Sequence, residues 1–77
     1  MRYYMNIQPD SFGTETSDEE TEFYGDKLQT ALEKEFPEII FDTDCGNNSF
    51  IAEDMLEKIH AAEARLYLQV IAEPFSL

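Results

Sequence analysis

The sequence predicts an α+β domain of the ferredoxin-like kind, order βαββαβ, with two helices on one face of a four-stranded antiparallel sheet. Three observations predict it. Residues 2–8 and 66–71 alternate side chains at the period of a strand. Residues 17–36 carry an apolar stripe at helical spacing, opened by a capping signal and closed by a proline. Between them, Cys45-Gly46-Asn47-Asn48 separates two short apolar runs, as a hairpin turn does. With 77 residues the chain forms one acidic domain, 1–77, and is too short for two separate cores.

The first strand runs from Arg2 to Gln8, with Tyr3, Met5 and Ile7 on one side and Arg2, Tyr4, Asn6 and Gln8 on the other. Pro9 and Gly13 break it, and a loop carrying Phe12 leads to Thr16. Ser17 with Glu20 matches a capping box, and Asp18, Glu19 and Glu20 suit the positive end of a helix. Tyr24, Leu28, Ala31, Leu32 and Phe36 make that helix's apolar stripe, Gly25 weakens it, and Pro37 stops it. Glu38 to Asp44 reads as a second strand and Ser49 to Ala52 as a third, paired across the turn. Met55, Leu56, Ile59 and Ala62 mark a second helix over 53–64, and a fourth strand follows from Arg65 to a stop before Pro74. The rival arrangement is βαβα, in which residues 50–72 form one long helix and only two strands remain; the alanines and Glu63 favour it.

Charge dominates the composition. Seventeen Asp and Glu face five Lys and Arg, for a formal net charge of −12. Solubility alone needs only about 2–8 in magnitude for a small domain. Such a surface repels phosphates, so no direct nucleic-acid contact is expected, and a basic protein surface is the natural complement. Cys45 is the only cysteine, which excludes an internal disulfide. No apolar run reaches signal-peptide or membrane-span length, so a cytoplasmic location and no membrane contact are expected.

The clearest candidate site is the first helix. With Leu28 at the centre of the buried side, Glu19, Glu22, Asp26 and Glu33 fall on the opposite face in a band roughly 60° wide. The row spans about 21 Å. Glu53 and Glu57 add a like-charged pair one turn apart on the second helix. From Pro9 through Asp26 there are seven carboxylates and no basic residue. Carboxylates spaced along a rod imitate a phosphate backbone, so these six residues are the predicted partner-binding set. Tyr4 and Tyr67 are dimer-interface candidates, because with Ile40 and Ile71 they would make the uncovered sheet face apolar.

Other chemistry finds little support. Residues 42–53 place carboxylates at positions 1, 3 and 12 of a calcium loop, but Gly46 and Asn47 exchange the needed ligand and glycine, so a plain turn is expected. One histidine, His60, and one cysteine cannot build a zinc site, and nothing suggests a catalytic triad. No metal, cofactor or enzymatic activity is expected. In length, in the Glu19-Glu22-Asp26-Glu33 row and in its lack of catalytic residues, the chain resembles the small acidic proteins of phages and mobile elements, anti-CRISPR proteins and other DNA mimics among them. That resemblance implies an inhibitor acting in the host cytoplasm on the basic groove of a nucleic-acid-binding complex. The alternative is a structural or regulatory homodimer paired through its open sheet face, its charge serving solubility.

Overall fold

A computed structural model describes residues 1–8, 10–11 and 16–72. Their order is β1 (Arg2–Tyr4), α1 (Asp18–Glu35), β2 (Ile40–Asp42) and α2 (Glu53–Ile71). The two strands pair in parallel, Arg2 opposite Ile40, Tyr3 opposite Phe41 and Tyr4 opposite Asp42. Parallel neighbours need a crossover, and α1 supplies it. The chain is therefore a short βαβ unit followed by a long helix. The four-stranded antiparallel ferredoxin-like sheet is overturned; the element order is that of the rival arrangement.

The first helix follows its sequence signals. Ser17 Oγ accepts the Glu20 N–H at 3.2 Å while Glu20 reaches back to the Ser17 N–H, closing the capping box. Tyr24, Leu28 and Leu32 are buried on one face, with Ala31 and Phe36 packed beside them. β1 is shorter than its alternation predicts because Asn6 adopts a positive φ of 54°, which turns the backbone out of the sheet. The alternation survives past that point, with Tyr3 and Met5 buried and Ile7 half-buried. The predicted loop around Phe12 lies mostly outside the described residues.

Two predicted strands fail for physical reasons. Residues 49–52 spend their backbone donors locally: the Ser49 N–H goes to Asn47 Oδ1 and the Ile51 N–H to the Asn48 carbonyl. They form a turn leading into α2, so there is no hairpin here. Residues 65–71 continue α2 because Leu66 and Val70 extend the buried stripe of Ile59 and Ala62 at helical spacing. Leu68, which a strand would have placed beside Leu66 and Val70, is 64% exposed.

The sheet is narrow, and both its edges are covered by side-chain amides. Ile40 N–H donates to the Met1 carbonyl and Met5 N–H to the Asp42 carbonyl, each at 2.8 Å, so the peptide groups of Tyr4 and Phe41 face away from the partner strand. Asn48 accepts the Tyr4 N–H at 2.8 Å and donates to the Tyr4 carbonyl at 2.9 Å, in the manner of a one-residue strand. Gln29 Nε2 donates to the Phe41 carbonyl at 2.6 Å. Tyr3 and Phe41 meet edge to face beneath the helices, at 5.8 Å between ring centroids. Tyr3, Leu32, Phe41 and Ile59 are all buried, so both strands and both helices share one core.

Candidate functional site

The acidic row lies where helix geometry puts it. Glu19, Glu22, Asp26 and Glu33 are all exposed on α1, whose buried face carries Tyr24, Gly25, Leu28 and Leu32. Between described residues the ion pairs are Arg2–Asp42 and Arg65–Glu35, and neither uses a member of the row. Lys34 and Arg65 lie off the row, and Lys27 borders it, sharing a hollow with Asp26. Lys27, Lys34 and Arg65 line a groove between α1 and α2 together with Glu35, the carboxylate Arg65 pairs with. The Lys27 ammonium lies 5.0 Å from the Phe23 ring centroid. Around α1 the two lysines stand roughly 100° from the centre of the acidic row. Beside the row, Asp18, Glu22 and Asp26 rim a hollow of about 310 Å³ floored by Ile7, Gly25 and Thr43.

The other predicted residues are spread out. Glu53 and Glu57 are exposed on the first turns of α2 and share no hydrogen bond or ion pair with the α1 row among the described residues. Tyr4 and Tyr67 do not share a sheet face, since Tyr67 belongs to α2. The Tyr4 ring instead packs on the 43–49 loop, so closely that a Cβ on Gly46 would collide with it. The open face that would have paired two copies through these tyrosines does not exist in this fold.

Within the calcium-loop pattern, Asp42 is used internally. One oxygen accepts the Asp44 N–H at 2.9 Å and the other the Arg2 guanidinium at 2.7 Å. The Asp44 N–H, and then Arg2, hold this carboxyl below the usual range. Among the described residues no group of three His, Cys, Asp or Glu side chains is arranged to hold a metal. Cys45 is exposed, and its sulfur accepts from Gln8 Nε2 at 3.2 Å.

Sequence reasoning missed one pair. The buried Tyr3 hydroxyl donates to Glu63 Oε1 at 2.6 Å, across sixty residues of chain. Burial, then the Glu63 carboxylate, pushes the Tyr3 hydroxyl well above the usual phenol range. Burial also raises the Glu63 carboxyl, against the opposing pull of the Tyr3 hydrogen bond and the nearby His60. Glu63 lines a cleft of about 390 Å³ together with Met5, Ile7, Ser11, Leu28, Ala64 and Tyr67. Its position one residue past Ala62 and three before Leu66 puts it on the flank of α2's apolar stripe, a signal that exists only when residues 65–71 are helical.

No helix among the described residues is long and apolar enough to cross a membrane. Comparison with protein-family models, curated proteins and solved structures finds no match to this chain.

Proposed function

We propose that this chain is a non-enzymatic inhibitor or regulator that inserts the acidic face of α1 into the basic, nucleic-acid-binding groove of a protein partner, as anti-CRISPR proteins and other DNA mimics do. It acts in the cytoplasm of its host. One observation carries the reading: Glu19, Glu22, Asp26 and Glu33 stand exposed along one helix face, while Lys34 and Arg65 line a groove off that face and Lys27 borders both that groove and Asp26. An acidic surface kept only for solubility gains from interleaved bases, since opposite charges one turn apart stabilise a helix by about 0.2–0.5 kcal/mol per pair. This row forgoes that gain and presents a single sign to its surroundings. Such a surface speeds association with a basic groove, and salt weakens the attraction.

The test compares the immobilised protein with a charge-reversed form, Glu19→Lys, Glu22→Lys, Asp26→Lys and Glu33→Lys, against nuclease-treated host lysate. A nucleic-acid-binding complex should be retained by the first, released by rising salt, and absent from the second. Retention of the same proteins on both surfaces would refute the reading, as would release by detergent but not by salt.

A further inference from the structure

We propose that the cleft between β1, α1 and α2 binds a compact amphiphilic cation, an apolar body carrying one ammonium group, with Glu63 as the counter-ion. This does not rest on the acidic row. Besides Glu63 the cleft's walls are mostly apolar: Met5 and Ile7 from the segment after Tyr3, Leu28 from α1, and Ala64 and Tyr67 from α2, with Ser11 adding one hydroxyl. Its volume of about 390 Å³ falls within the range of about 300–1,000 Å³ typical of small-molecule sites. Glu63 is the one charged group on its wall among the described residues. Tyr3 donates to Oε1, and among the described residues no hydrogen bond reaches Oε2.

That geometry discriminates between ligand classes. A neutral apolar molecule in the cleft would strip water from Oε2 and return nothing, so the cost of a half-buried carboxylate would rise. An anion would meet Glu63 at close range and a chain of net charge −12 at long range. An ammonium group replaces the lost water with a charge-assisted hydrogen bond, while its apolar body covers Met5, Ile7 and Leu28. The field of the whole chain draws the same species in. Tyr3 is the positioning residue: its hydroxyl fixes the Glu63 carboxylate so that the second oxygen faces the ligand.

Benzylammonium chloride and benzyl alcohol, titrated at matched ionic strength into the full chain, test this by amide NMR. The ammonium should give saturable shifts at Met5, Ile7, Leu28 and Ala64, with benzyl alcohol at least tenfold weaker. Glu63→Gln, whose amide oxygen can still accept from Tyr3, should weaken the ammonium at least tenfold and leave the alcohol as tight as before or tighter. Ala64→Leu should fill the cleft and abolish both. Equal affinity for the two probes, unchanged binding by Glu63→Gln, or non-saturating shifts spread along the acidic row would each overturn the proposal.

Discussion

At the scale of single residues, Tyr3 and Glu63 set a pH dependence opposite to that of most paired carboxylates. A carboxylate stabilised by a cation titrates low, so the protein loses stability as pH falls; Asp42, held by the Asp44 N–H and Arg2, belongs to that group. Glu63 titrates high, chiefly because burial penalises its charged form. The folded state then binds a proton more tightly than the unfolded state does. Its stabilising contribution is complete below the ordinary glutamate value of about 4.3 and is lost as pH rises through the raised folded value. Urea unfolding should therefore show the chain more stable at pH 5 than at pH 7. Part of that gain comes from relief of general charge repulsion, and Glu63→Gln separates the two. The variant keeps an acceptor for Tyr3 but has no proton to bind, so its stability should change less between the two pH values. Identical pH slopes for parent and variant would remove Glu63 from the account.

At the scale of elements, each helix carries one correctable weakness. Gly25 is buried inside α1, and a Cβ there would meet Ile7 at 3.7 Å and Thr43 at 4.0 Å, which is ordinary contact. Gly25→Ala should stabilise by about 1 kcal/mol. Ala52 caps α2 with an extended backbone (φ −58°, ψ 142°) but no side-chain bond. Ala52→Ser should add about 1 kcal/mol by accepting a first-turn N–H, in addition to the Met55 N–H that Asp54 Oδ1 already takes at 3.0 Å. Each change should raise the midpoint of thermal unfolding by about 4–8 °C, and a fall in either would show that the local geometry is misjudged. These helices also mark where the sequence could be read and where it could not. The start and stop of α1 are written in neighbouring residues, Ser17 with Glu20 and then Pro37, so the helix and the acidic row on its face follow directly. In α2, Leu66, Leu68 and Val70 fit a strand, while Ile59, Ala62, Leu66 and Val70 fit a helix. Packing against α1 decides between them, and no local signal reports that packing. The cleft was illegible for the same reason, since it needs Tyr3 and Glu63 brought together from opposite ends of the chain.

At the scale of the whole molecule, the question is whether the acidic row holds the fold together or burdens it. Glu22, Asp26 and Glu33 are exposed and take part in no ion pair between described residues. Glu22 and Asp26 are one turn apart, about 6 Å along the axis, and Glu33 lies about 10 Å further on. Those separations are comparable to the screening length of about 10 Å at 0.1 M salt and exceed the length of about 3 Å at 1 M. Like charges at such spacing repel at low salt and scarcely interact at high salt. A chain of net charge −12 should therefore become more stable as sodium chloride rises toward 1 M. The triple variant Glu22→Gln, Asp26→Asn, Glu33→Gln should match or exceed the parent at low salt and depend less on salt, with the two converging near 1 M. Glu19 is left in place because a first-turn carboxylate also favours the helix dipole. Thermal melts across a salt series decide the matter. If the variant is less stable than the parent at every salt concentration, the row is a structural feature and its surplus charge needs no partner to explain it. If the variant is more stable, the chain carries a surface that works against its own folding, which favours a role for that surface outside the fold, in binding or in solubility.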